Sequence, residues 1–168
     1  HHLAQVRYLI VDEIHELEKK YGLNLSGAEL IDPLTSPKKS LYIEKLVELR
    51  KSKGLTAADA EKLLNQDIYY GPMMIYMGDA DGEVSGAEHS TADTVRNALQ
   101  IVKTAPGISV VSGAMVLVSK KPELGHNGIF ICADVAITPN PTAAELAQIA
   151  ICSADTARMI AVIDPPQV

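Results

Sequence analysis

The most unusual stretch of this chain is Gly78-Asp-Ala-Asp-Gly-Glu-Val-Ser-Gly-Ala-Glu-His-Ser-Thr-Ala-Asp-Thr-Val-Arg96. A glycine-rich turn that runs into a helix N-terminus exposes free N–H groups and the positive end of the helix dipole, an arrangement suited to holding an anion. The pattern predicts a short strand around Glu83 to Ser85, a glycine that lets the backbone pass closely, and a helix from about Ser90. On that helix Val95, Ala98, Leu99 and Val102 are expected to face the core, and Asp93, Arg96, Gln100 and Lys103 to form a polar stripe. Arg96 then sits about two turns in, at the edge of the buried face.

Several sharper readings of the same residues fail. The spacing is neither G-x-G-x-x-G nor G-K-[ST], so no dinucleotide fingerprint or P-loop is present. Asp79-Ala-Asp81-Gly82 hints at a calcium loop, but an EF-hand needs a later glycine and a glutamate where Ser90 stands. His89 and Asp93 could share a metal, yet no second cluster supports them, and Asp93 suits a helix cap better. No metal is therefore expected. Arg50, in Glu48-Leu-Arg-Lys-Ser-Lys-Gly54, has the plain role of a cation at a helix C-terminus before a glycine stop. Asp93 and Arg96 could equally be an i,i+3 surface pair, and His126 before Asn127-Gly128 reads as a turn residue.

The elements that must position these residues announce themselves by caps. Ser36-Pro37 predicts a capping side chain and a proline at the first helical position, followed by an apolar face of Leu41, Ile43, Leu46, Val47 and Leu49. Thr56, Ser90 and Thr142 each precede an acid by three residues, and only the last has the preferred Glu, Glu145. Thr142 opens the longest expected helix, with Leu146, Ile149, Ala150, Ser153, Ala157 and Ile160 at helical spacing. Short strands are expected at Gln5 to Val11 and Ala28 to Ile31, and buried β-branched ones at Ser109 to Val118 and Gly128 to Ile137. Asp67 to Met77 is ambiguous: Pro72 counts against a central strand, and the length permits a helix. Alternating strands and helices predict an α/β fold with a mainly parallel sheet. Thr104-Ala-Pro-Gly107 is the best joint between two lobes, so 1–107 is expected to belong to one and 108–168 to begin another.

Composition narrows the partners. The chain has 168 residues, 47% of them hydrophobic and 21% charged, enough for one domain or two small lobes with a real core. Aromatic residues are 4% with no Trp, which leaves no stacking platform for single-stranded nucleic acid. With 15 Lys and Arg against 21 Asp and Glu, neither a nucleic acid nor an anionic membrane is the expected partner. Cys132 and Cys152 form no disulfide framework and suit a reducing cytoplasm. The most apolar stretch, Ile108 to Val118, is far shorter than a membrane span. No secretory signal is visible at His1-His2-Leu3-Ala4, whose histidines suit the remnant of a purification tag. A soluble, intracellular chain is expected.

At several motifs the sequence resembles the phosphotransacetylase, or phosphate acetyltransferase, family. The matching residues are Asp32-Pro33, Ser36-Pro37-Lys38, Leu49-Arg-Lys-Ser-Lys-Gly-Leu-Thr56, Tyr69-Tyr-Gly-Pro-Met-Met74 and the whole of Gly78 to Arg96. They continue through Ala98-Leu-Gln-Ile-Val-Lys-Thr-Ala-Pro-Gly107, Ala133-Asp134, Pro139-Asn-Pro-Thr142 and Ser153-Ala-Asp-Thr-Ala-Arg158. The resemblance implies reversible transfer of acetyl between coenzyme A and inorganic phosphate through acetyl phosphate, with coenzyme A as substrate and no permanently bound cofactor. It implies a homodimer of two-lobed subunits with a fold like the isocitrate and isopropylmalate dehydrogenases, only partly represented here, and a site in the interlobe cleft. Arg50 and Arg96 would hold coenzyme A and phosphate, with Ser85, His89, Ser90 and Thr91 lining the site beside Arg96.

Two departures qualify the resemblance. Asn97 stands where the family usually has proline, which implies a slightly shifted helix start because Asn97 can donate an N–H. The chain is also about half a family member's length, and a late Ser-Arg-Gly motif with its nearby aspartate, which would grip the phosphoryl end and deprotonate the thiol, has no counterpart. The run Ile163-Asp164-Pro165-Pro166 after Arg158 likewise predicts truncation. A free thiol with a pKa near about 8.5 needs a base at neutral pH, and only Asp79, Asp81 and Asp93 are candidates, by type alone. The catalytic residues are therefore unknown, and the isolated chain is expected to be inactive. The alternative is a non-catalytic, acyl-CoA-binding regulatory module of the same family.

Overall fold

The computed structural model describes residues 7–8, 11–87 and 89–168. Its chain contacts divide into two units, 1–103 and 104–168.

In the first unit β1 (Arg7–Tyr8) pairs parallel with β2 (Glu29–Leu30), and α1 (Val11–Tyr21) connects them. Residues 5, 6, 9 and 10 of the first expected strand, and the terminal histidines, lie outside the described residues. The core of this unit is helical. Tyr42 and Leu46 on α2 (Lys39–Leu49), Ala60 and Leu64 on α3 (Ala57–Leu64), Tyr70, Met73 and Met74 on α4 (Asp67–Tyr76) and Ile101 on α5 (Thr91–Ile101) form one buried cluster. The rings of Tyr42 and Tyr70 meet at 5.0 Å between centroids.

α4 settles the ambiguous stretch as a helix. Ile68, Tyr70, Gly71, Pro72, Met73 and Met74 are all buried, as in a helix enclosed on every side. Pro72 removes one intrahelical hydrogen bond, and packing outweighs that loss.

α2 departs from expectation at its start. Ser36 does not cap it; its Oγ accepts from Lys38 N at 3.3 Å and closes a local turn, with Pro37 inside that turn and the helix beginning at Lys39. The buried stripe follows Tyr42 and Leu46, while Leu41 is exposed. On α5 the buried positions are Asn97 and Ile101, whereas Leu99 and Val102, expected in the core, are each 39% exposed. Asn97 lies within the helix, which begins at Thr91 behind the Ser90 cap.

In the second unit β3 (Ala114–Val118) and β4 (Ile129–Ala133) form an antiparallel pair in register Ala114↔Ala133 to Val118↔Ile129. The mainly parallel sheet is thus corrected: among the described residues there is one two-residue parallel pair and one hairpin. The connection between β3 and β4 is too short for a crossover helix and turns back through Asn127 (φ 52°) and Gly128 (φ 86°). A Cβ at Gly128 would lie 2.7 Å from the carbonyl oxygen of Ser119, so only glycine closes this turn. Both strands are shorter than expected, and β3 is exposed at every position rather than buried.

α6 (Ala143–Met159) packs on β4 and buries Ile149 and Ala157. Leu146 and Ile160 are exposed, Ile160 lying at the cap beyond the helix. Thr142 and Glu145 close a full capping box. No helix among the described residues is long and apolar enough to cross a membrane.

Candidate functional site

The expected strand at Glu83 to Ser85 is absent; residues 83–85 are irregular and exposed. Among the described residues no backbone hydrogen bond holds residues 81–87, so side chains must anchor the segment. Two carboxylates do so. Asp79 bonds to Lys38 Nζ and accepts from the hydroxyl of Tyr42 at 2.5 Å. Glu83, although an exposed residue, rests its carboxylate on Gly71 of α4, where a Cβ would come within 2.8 Å of Oε1. Burial of that end raises the Glu83 pKa; a hydrogen bond from Ser85 opposes the rise and the charge of Asp67 adds to it.

Downstream, His89 Nε2 lies 4.0 Å from Asp67 Oδ1 in the first turn of α4. Ser90 caps α5: its Oγ accepts from Asp93 N at 3.1 Å and donates to Asp93 Oδ2 at 2.7 Å. Arg96 Nη1 reaches back to Asp93 Oδ1 at 2.6 Å and is solvent-exposed. The Ser90 bond, and after it Arg96, holds the Asp93 carboxyl below the usual range. The anion place expected at this helix start is therefore already shared with the chain's own carboxylate. Thr91 opens the helix, exposed, and its N–H and that of Ala92 have no intrahelical partner. Ser90, Thr91, Asp93 and Arg96 are thus gathered at one helix end, with His89 alongside.

Arg50 stands elsewhere in the unit. It is the C-cap of α2, followed by a 3₁₀ turn at Lys51–Lys53 and by Gly54 at φ 72°. That geometry matches the plain helix-end role, and Arg50 makes no ion pair among the described residues.

Sequence reasoning missed three features. The first is a cleft of about 250 Å³ between β2, the turn before α2, and α4, where Tyr70 donates to Ser36 Oγ at 2.5 Å and Lys38, Tyr42 and Asp79 meet. The second is the Glu83 seat, whose one signal was a glycine inside an otherwise bulky helix. The third is Asp134 in the second unit. Its carboxylate accepts from the backbone N–H groups of Gly113 (3.2 Å), Ala136 (2.8 Å), Ile137 (3.0 Å) and Thr138 (2.5 Å). Burial by itself would raise this pKa, but the four N–H groups together hold it at about 2.

Among the described residues no three His, Cys, Asp or Glu side chains gather to hold a metal ion. The carboxylate of Asp79, one end of the hinted calcium loop, is engaged by Lys38 and Tyr42.

A mixed helix-and-strand chain with arginine, serine and histidine gathered at a helix start defines a protein with a candidate anion site. The comparisons then name the family: the profile of the phosphate acetyl/butaryl transferases matches residues 1–168, and the chain belongs to that family. It is 47% identical over 154 residues to a phosphate acetyltransferase of Thermoanaerobacterium thermosaccharolyticum, covering 92% of this chain and 46% of that protein. A phosphate acetyltransferase of Clostridium acetobutylicum is 43% identical over 159 residues, covering 94% and 48%. Among solved structures, a phosphotransacetylase from Staphylococcus aureus superposes with a TM-score of 0.77 at 42% identity, over 91% of this chain and 44% of that one. The chain spans about half the length of the curated relatives it matches.

Proposed function

We propose that this chain carries part of a phosphate acetyltransferase, which moves acetyl reversibly between coenzyme A and inorganic phosphate. The observation that supports the reading is the family match over residues 1–168 to relatives that bear that activity in their names. Two further elements of the reading rest on the resemblance: a two-lobed fold like the isocitrate and isopropylmalate dehydrogenases, and residues 1–107 and 108–168 as parts of its first and second lobes. A cytoplasmic homodimer without nucleic-acid or membrane partners completes it.

In this reading coenzyme A, acetyl phosphate and phosphate are the ligands, and no cofactor is bound permanently. Arg96, in the second turn of α5 with its side chain reaching back towards the helix start, takes phosphoryl charge as a planar fork of donors. Ser85, His89, Ser90 and Thr91 line the place beside it, and the dipole of α5 adds positive potential. Arg50 supplies a second cation. Fixed cations of this kind stabilise charge on a departing phosphate. Of the acids considered as bases, Asp79 is engaged by Lys38 and Tyr42 and Asp93 by Ser90 and Arg96, which favours binding as the function of this chain by itself.

The test is calorimetric titration of the chain with coenzyme A, beside an assay of acetyl-CoA formation from acetyl phosphate and coenzyme A. Saturable binding without turnover is the expected result. Clear turnover would put the base and the phosphate grip within these residues; absence of binding would reject the assigned site.

A further inference from the structure

We propose that Glu83 is a positioning residue: its carboxylate, seated on Gly71, holds the segment carrying Ser85 and His89 against α4. The proposal rests on the reading of that segment as part of a coenzyme A site. The geometry is specific. A Cβ on Gly71 would lie 2.8 Å from Oε1, 2.9 Å from Cδ and 3.1 Å from Oε2, so the carboxylate lies face-on in the notch that glycine leaves. Gly71 is buried, and no other residue type would let a carboxylate approach the helix this closely. Glycine is a poor helix former compared with alanine, and here the notch it creates is filled by one side chain.

The segment has little else to hold it. No backbone hydrogen bond fixes residues 81–87 among the described residues, and Val84 is fully exposed, so neither a ladder nor an apolar contact keeps it in place. Asp79 tethers the segment near its start and Ser90 ends it as the cap of α5. Glu83 is the anchor between those two, and Ser85 follows it two residues on. Removing it should release Ser85 first, while the helices on either side remain packed.

A double-mutant cycle of Gly71→Ala and Glu83→Ala tests this, read by NMR backbone order parameters over residues 81–87 and by coenzyme A affinity. Each single variant is expected to lower the order parameters of the segment and to weaken affinity by about tenfold, because small misplacements of a binding group are costly. The double variant should be no worse than either single one. Glu83→Gln, which keeps the shape of the side chain, should restore both readings. Additive effects, or unchanged order parameters in Glu83→Ala, would overturn the proposal, as would tighter binding in that variant, which would make Glu83 a mere repulsive neighbour of the ligand's phosphates. Unchanged affinity despite lower order would also overturn it. Glu83→Ala alters an exposed residue, so the test survives any misfolding of Gly71→Ala. Should the parent chain not bind coenzyme A, the site assignment fails, and the order parameters alone decide whether Glu83 anchors the segment.

Discussion

Arg96 and Asp93 face each other across one turn of α5, with Nη1 2.6 Å from Oδ1, while the other oxygen of Asp93 accepts from Ser90. The guanidinium proposed to receive phosphate is thus already oriented, by a carboxylate that also competes for it. An exposed pair of this kind is weak in water, and a multiply charged phosphate can displace it.

Arg96→Ala is therefore expected to weaken coenzyme A binding by about tenfold or more, with Arg96→Lys only a partial substitute because it lacks the planar fork. Asp93→Asn should tighten binding severalfold at low salt, since it removes a like charge, and the gain should vanish at high salt. Calorimetry at two ionic strengths separates these outcomes. Weaker binding in Asp93→Asn would instead show that orienting Arg96 matters more than freeing it.

Arg50 offers a cleaner choice between two roles. As a helix-end cation it would be replaced well by Lys, with little change in melting temperature. As a phosphate grip it would not, and Arg50→Lys should lose affinity for coenzyme A while the fold stays intact. Equal isotherms for the parent and Arg50→Lys would return it to the helix-end role.

The Tyr42 hydroxyl tests the first unit. Tyr42 is 1% exposed and donates to Asp79 at 2.5 Å. Tyr42→Phe keeps the ring packed on Tyr70 but leaves a carboxylate short of one donor, and should cost about 1–3 kcal/mol in chemical denaturation. An unchanged midpoint would mean that the bond contributes nothing net.

Asp134 predicts an acid limit for the second unit. The four N–H groups hold its carboxyl down to about 2 in the folded chain against 3.8 for a free aspartate, so the native state binds the proton less readily. The stabilisation is fully present above pH 3.8, is lost as pH falls towards 2, and is absent below that. Asp134→Asn, which cannot present two acceptor oxygens to four N–H groups, should lower stability at pH 7 and flatten the acid dependence between those values. A parallel loss at every pH would reject the charge as the cause.

The helix starts were legible because they are local. Thr56, Ser90 and Thr142 all cap the helices expected of them, each accepting from the residue three positions on. Only Glu145 also reaches back to its cap's backbone N–H, because Asp59 and Asp93 are one methylene shorter. Ser36 failed for an equally physical reason: its hydroxyl is engaged by Tyr70, thirty-four residues away, and by the turn at Lys38. Long-range partners of that kind leave no mark in spacing.

Strand pairing was the least legible part. The runs that became β3 and β4 had the right composition, but direction depends on whether the connection turns back, and Asn127-Gly128 decides that. In the site, the cluster at Ser90, Asp93 and Arg96 could be read from helical spacing. The Glu83 seat could not, because Gly71 and Glu83 belong to different elements and meet only in the folded chain.

β3 carries one consequence for anyone who handles the chain. Its sequence Ala-Met-Val-Leu-Val is apolar throughout, exposed, and paired along one edge only among the described residues. Such an edge is a template for another strand and so for self-association at high concentration. Lys120 and Lys121, exposed just beyond its C-terminal end, are flanking charges of the kind that keep copies apart. Their repulsion is screened by added salt, so dilute, low-salt buffers are the conditions in which single molecules persist.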